Sequence, residues 1–152
     1  MNQFIQYTGL EQAGPWILLV GTSVMTVAAW WCHLHRYPSF SGWSEADFVR
    51  QHARHSFQIS IVVVPGMLLQ IIGSLALHAA QTSSWLVGLC WVFLLASILP
   101  TLIISAPIHR RLSKGKKIED IRLLLGTNLP RTLAWTGHLV VSVIWLIGEI
   151  TR

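Results

Sequence analysis

Acidic side chains are scarce in this chain: six Asp and Glu stand against eleven Lys and Arg. No two carboxylates share an apolar run, and neither HExxH nor a Glu-x-x-His pair lies in one. A carboxylate-rich di-iron site is therefore excluded, since such sites need several acids projecting from facing helices. Cysteine is scarcer still. Cys32 and Cys90 have no CxxC or metal-finger spacing, so they are expected to be packed thiols rather than a disulfide, a redox dithiol or a zinc pair. The glycines form no P-loop or GxGxxG, and no GxSxG is present. Charge of either sign is rare, at 11% of residues against roughly 25% in an ordinary soluble domain.

What is abundant is apolar surface. The chain is 53% hydrophobic over 152 residues, more than a soluble domain of that size can hide, so lipid is the expected second solvent. The fold class expected is all-α, an integral membrane four-helix bundle in one domain. Its spans are expected near residues 15–33, 57–77, 85–108 and 133–150, each long enough to cross a hydrocarbon core. A net charge of +5 might point to nucleic acid, but the basic residues sit between hydrophobic runs, and nucleic acid is not an expected partner. No Lys or Arg precedes the first run and no small-residue cleavage site follows it. That run is expected to remain as a signal anchor.

The organising stretch is the basic segment 109–131, which with its flanks reads SAPIHRRLSKGKKIEDIRLLLGTNLPRTLAW. It holds seven of the eleven cations, and Arg36, Arg50 and Arg54 lie in the first loop, leaving only Arg152 on the opposite side. By the positive-inside rule both longer loops are expected in the cytoplasm and both termini on the outer side of the membrane. Within the basic segment, Ile118, Ile121, Leu124 and Leu125 recur at helical spacing, as in a short helix lying on the membrane surface. Gly126 is expected to end it, Asn128 to cap the next helix and Pro130 to fill that helix's first turn. Earlier in the chain, Pro38 and its neighbours are expected to break the first helix and to push Tyr37 out of α geometry. Ser44 reads as an N-cap ahead of Glu45 and Asp47. Pro65 and Pro100 are expected to kink the second and third spans toward the interior, with Pro65, Gly66 and Gln70 facing the bundle. Trp16, Trp30 and Trp31 are placed as interfacial anchors, and Gly14, Gly21, Gly66, Gly73 and Gly88 as sites of close helix approach.

Seven histidines need an account. His33 and His35 close the first span, His52 and His55 open the second on one helix face, and His109 closes the third. His138 lies inside the fourth, and only His78 falls on the outer side. Taken singly, His33, His35 and His78 read as interfacial residues. His55 and His109 with Arg131 read as a site, because imidazole is the common ligand of transition metals and of haem. The expected cofactor is a haem or a transition metal, with His52, His55, His109 and His33 as candidate metal ligands. His55, His109, Arg131 and Asn128 are the candidate cofactor-binding set.

The segments HRYPSF, QHARHSFQISIVVVPGMLL, API-H-RRLSKG and TNLPRTLAW carry a resemblance. They resemble a largely uncharacterised family of small four-span bacterial inner-membrane proteins. Its Tyr-Pro, Pro-x-Met, Pro-x-His-x-x-Leu and Asn-x-x-Arg-Thr-x-x-Trp features are matched by Tyr37, Pro38, His55, Pro65, Met67, Pro107, His109, Leu112, Asn128, Arg131, Thr132 and Trp135. One departure is Gln70, where the family often has Glu. More distantly the layout is similar to anthrone-oxygenase-like membrane proteins, which implies oxidative chemistry on an apolar substrate. The expected function is accordingly a cofactor-dependent membrane oxidoreductase or oxygenase, acting at the cytoplasmic face on a lipid-soluble quinone or aromatic. The alternative is a non-catalytic structural or assembly subunit, packed in a homo-oligomer or with other membrane subunits. A transporter is the weaker third, since neither an intramembrane acid nor a repeat is present.

Overall fold

A computed structural model of the chain describes residues 9–80 and 84–151, with the side chains of residues 10–12 left out. Four helices are long and apolar enough to cross a membrane: Ala13–Gly42, Glu45–Ala80, Trp85–Leu112 and Ile118–Ile150, with mean hydropathies of 1.6, 2.1, 2.4 and 1.6. No strand occurs among the described residues. The protein is an all-α, multi-pass membrane protein whose apolar helix faces meet lipid. The first span packs on the second and fourth, and the third packs on the fourth and second. Three layers of buried residues run along the bundle. Leu18, Leu77 and Trp145 lie at one end, Met25, Ala29 and Trp135 in the middle, and Phe40, Phe48, Ile108 and Leu124 at the basic end.

Several boundaries differ from expectation, each for a local reason. Pro38 does not break the first helix, and Tyr37 keeps α geometry at φ −66°, ψ −39°. The ladder instead takes in an extra residue over Cys32–Arg36, so that the Tyr37 N–H reaches back five residues to the Cys32 carbonyl. Proline has no N–H to continue an i→i−4 ladder, and a π turn just ahead of it absorbs the mismatch. The third span repeats the device. A π turn at Thr101–Ser105 closes with the Ala106 N–H on the Thr101 carbonyl, one residue before Pro107. The helix gives way to that turn at Pro100, whereas it runs unbroken through Pro65. Gly66 and Gln70 are buried as expected, but Pro65 is exposed on the outer face.

The second helix starts at Glu45, where the Asp47 N–H donates to Ser44 Oγ at 3.2 Å, the expected cap. The expected break near Gly126 is absent: one helix runs from Ile118 to Ile150 through Gly126, Asn128 and Pro130. Gly126 has no positive φ, and the chain reverses instead near Gly115, at φ 156°. The expected surface helix is therefore the first turns of the fourth span, with Ile121 and Leu124 buried against Phe40 and Phe48. The non-helical part of the basic segment shrinks to residues 113–117. Lys116 ties it down by donating to the carbonyls of Ser41 and Trp43 at 2.8 and 2.7 Å, and Arg111 clasps Asp120 with contacts from 2.6 Å.

Close approach is concentrated on the seam between the first two spans. A Cβ at Gly14, Gly21, Gly66 or Gly73 would sit 2.6–2.8 Å from the facing helix. Gly88 has no such neighbour, while Gly137, unmarked by the sequence, abuts the Phe93 ring. Trp16 and Trp31 face outward, but Trp30 turns in and donates to Thr136 Oγ1 at 3.1 Å.

Candidate functional site

Because the fourth helix is unbroken, Asn128, Arg131, Thr132 and Trp135 fall on one face, at spacings of three and four residues. All four are buried, and Arg131 is only 4% exposed. Arg131 donates to Ser105 Oγ of the third span and to Asn128 Oδ1. Asn128 is held in turn by Nδ2 donating to Thr132 Oγ1 at 3.1 Å. The Tyr37 hydroxyl lies near the same guanidinium and the Cys32 thiol, and the Trp135 ring lies 5.4 Å from the Arg131 Cζ. Among the described residues no carboxylate pairs with Arg131, and its Nε has no partner. A guanidinium stays charged in proteins, so this is a permanent cation in an apolar setting, stabilised only by dipoles and a ring face.

Beside it lies a cavity of about 250 Å³. Its polar end is made by Arg131, Asn128, His109, Tyr37, Cys32 and Ser105, and its remaining walls are mainly apolar, with Met25, Ala29, Ile59, Val63 and Trp135 among them. Both π turns feed this cavity: Cys32 opens the first and Ser105 closes the second. The extra residue in each rotates the following turn relative to a plain α-helix, bringing Tyr37 and His109 to bear on the space.

The histidines gather as expected, with a difference in how their nitrogens are used. His52 and His55 are buried and His109 is half-buried, with ring centroids 5.2 Å apart for His52–His109 and 6.2 Å for His55–His109. His52 Nε2 and His109 Nδ1 are hydrogen-bonded to each other at 3.0 Å, and His52 stacks on Phe48. Arg36 Nε donates to His55 Nδ1 at 3.2 Å, which leaves the proton of a neutral His55 on Nε2. A protonated ring nitrogen offers no lone pair to a metal. In this arrangement His52 and His109 bond each other and His55 accepts from Arg36, and of the three only His109 lines the cavity. Among the described residues no three His, Cys, Asp or Glu side chains are grouped to hold a metal ion. His33 is half-buried with its ring edge-on to Trp30, while His35 and His78 are exposed. Comparison with family models, curated proteins and solved structures gives no match to this chain.

Of the expected site residues, the fold brings His109, Asn128 and Arg131 onto one cavity. His55 lines a neighbouring groove, His52 backs His109, and His33 stands apart from both spaces. Cys32 and Ser105 are the residues the sequence did not single out. The available signal was a proline shortly after each, Pro38 and Pro107, but the π turn that makes it meaningful is visible only in three dimensions. Deeper in the bundle His138 is wholly buried, with Nε2 3.2 Å from Cys90 Sγ and 3.4 Å from Ser74 Oγ.

Proposed function

We propose that this protein binds a lipid-soluble molecule with an electron-rich oxygen head, of the quinone, phenol or carboxylic-acid kind, and that it serves oxidation or electron transfer on it. One observation carries the reading: Arg131, buried with no carboxylate partner among the described residues and with Nε unpartnered, faces a mainly apolar cavity. Asn128 Oδ1 and Ser105 Oγ answer Nη2 and Nη1 with dipoles alone, and the charge of a buried guanidinium calls for an anion or a further acceptor, which the head of a ligand supplies. His109 and Tyr37 at the same end are placed to exchange a proton with the head. The volume of about 250 Å³ lies just below the usual small-molecule range, which favours a single ring or a carboxyl head over a macrocycle.

A haem or transition-metal centre at His55 and His109, with His52 or His33 assisting, is the second reading. It is favoured by the buried, unpartnered nitrogens His33 Nδ1, His52 Nδ1 and His55 Nε2. It requires the His52–His109 bond to open and the His55 proton to leave Nε2, which the Arg36 bond to Nδ1 opposes. The resemblance to bacterial inner-membrane proteins supports that location with both termini periplasmic, and the ten-to-one distribution of Lys and Arg supports turning the basic end, and this site with it, toward the cytoplasm.

The test is an organic extract, an absorbance spectrum and a metal analysis of the detergent-purified protein. A stoichiometric carbonyl- or acid-bearing lipid that is lost in Arg131→Leu and kept in Arg54→Leu is the expected result. A Soret band or stoichiometric metal would favour the second reading. Colourless, ligand-free protein that co-purifies with other chains would overturn both and leave a packing subunit.

A further inference from the structure

The seam between the first two spans changes character along its length. Toward one end it is closed by small residues. Gly73 lies against the Leu18 backbone, Gly21 against Leu69 and Gln70, and Gly66 against the Met25 sulfur. Beyond the Met25–Gly66 contact, toward the basic end, the facing residues become Ala28, Cys32, Ser56 and Ile59, and two spaces open there. One is the cavity holding Arg131. The other is a groove of about 570 Å³ on the outer face, lined by Val24, Val27, Trp31, His55 and Val62 among others. Ala28 and Ile59 line both. The groove faces lipid, with Val27 69% and Trp31 47% exposed, and Ala28 and Ile59 form the wall it shares with the inner cavity.

We propose that the site opens sideways to the bilayer between the first and second spans, with Ala28 and Ile59 as its sill. Its ligand is then an amphiphile with one tail: the oxygen head lies at Arg131, and an acyl or isoprenoid tail passes over Ala28 and rests in the Val24–Val27–Val62 groove. This rests on the head-group reading above and extends it from a head to a whole ligand class. Physically, a tail left in the groove keeps its contact with lipid and with apolar side chains. Only the head has to leave the interface for the cavity, where the guanidinium compensates it. The tight glycine contacts set the outer limit of the opening, because helices held that close leave no room for a chain between them.

Cys32 lines the inner cavity and reports on the route without knowledge of the ligand. The full chain is reconstituted in vesicles of phosphatidylethanolamine and phosphatidylglycerol and treated either with N-dodecylmaleimide, carried in the bilayer, or with a charged, water-soluble methanethiosulfonate. Peptide mass spectrometry separates Cys32 adducts from those at Cys90. The bilayer reagent should modify Cys32 well ahead of Cys90 and ahead of the charged reagent. Ala28→Phe and, independently, Ile59→Trp should slow that reaction by about tenfold or more, as a raised barrier in an overfilled seam would. Val140→Phe, on a lipid-facing position of the fourth span, should not. Palmitate or a decyl-tailed ubiquinone analogue should also slow it, whereas hexadecane, a tail without a head, should not. Equal rates in the sill variants and the parent, a faster aqueous reagent, or no Cys32 adduct would overturn the sideways opening. Protection by hexadecane as strong as by palmitate would overturn the amphiphile. In Arg131→Leu the bilayer reagent should still label Cys32 ahead of Cys90 and ahead of the charged reagent, so a failed head-group reading shows in the extract and a failed opening shows in the labelling.

Discussion

Gly73→Ala adds one methyl group where the first two spans touch. Built on the present backbone, that Cβ lies 2.6 Å from Leu18 Cβ and 2.7 Å from both Leu18 Cα and N. Ordinary carbon contacts sit near 3.5–4.0 Å, so the seam must open by about 1 Å. Two of the three clashing atoms are backbone and cannot swing aside as a side-chain tip would. Opening also lifts Gly66 from Met25 and Gly21 from Leu69, so the strain is shared along the seam rather than relieved. Overpacking of this kind costs about 1–3 kcal/mol. At about 2–4 °C per kcal/mol, melting should fall by roughly 2–12 °C.

The matched control is Gly126→Ala, at an exposed helix position where an added Cβ meets nothing within 4 Å. If the helix is continuous there, alanine should be neutral or stabilise by up to about 1 kcal/mol. A helix that ended at Gly126 in the left-handed conformation would be destabilised instead. Cys32 and Cys90 are buried free thiols, so a thiol-reactive dye in detergent reports both melts. A Gly73→Ala protein melting at or above the parent would refute the seam argument, and a Gly126→Ala protein melting well below it would refute the unbroken helix.

Asn128→Leu should lower stability by about 1–3 kcal/mol, because it strips an acceptor from the buried Arg131 guanidinium. Arg131→Leu should cost less or even stabilise, since an apolar replacement for a buried charge often does. Melting of the two variants side by side tests this, and a larger loss in Arg131→Leu would mean that the guanidinium is there for the fold. Reporter enzymes fused at Gly115 and after Arg152 should behave as cytoplasmic and periplasmic, respectively. The reverse pattern would turn the site to the other face.

The bundle was legible because hydrophobic runs of spanning length, separated by cationic or turn-forming segments, leave few alternatives. The grouping of His109, Asn128 and Arg131 was legible too. Each sits at the same end of its span, and antiparallel helices put such residues at one depth. His52 and His55 were readable as one face from their i, i+3 spacing. How their nitrogens would be used was not, because hydrogen-bond partners such as Arg36 for His55 come from another span.

Local signals failed where tertiary contacts outweighed them. Pro38 and Gly126 are strong punctuation in isolation, yet both lie within helix here. A π turn absorbs the missing N–H ahead of Pro38, and burial of Ile121 and Leu124 holds the helix leading into Gly126. A residue's own conformational preference is worth about 1 kcal/mol, less than packing a helix face against the bundle contributes. The sequence alone therefore determined the solvent, the number of spans and which polar residues share a depth. The tertiary structure alone decided that two π turns aim Cys32, Tyr37, Ser105 and His109 at Arg131, and that the seam beside them is closed at one end and open at the other. Those features depend on how closely helices far apart in the chain approach one another, which no local pattern records.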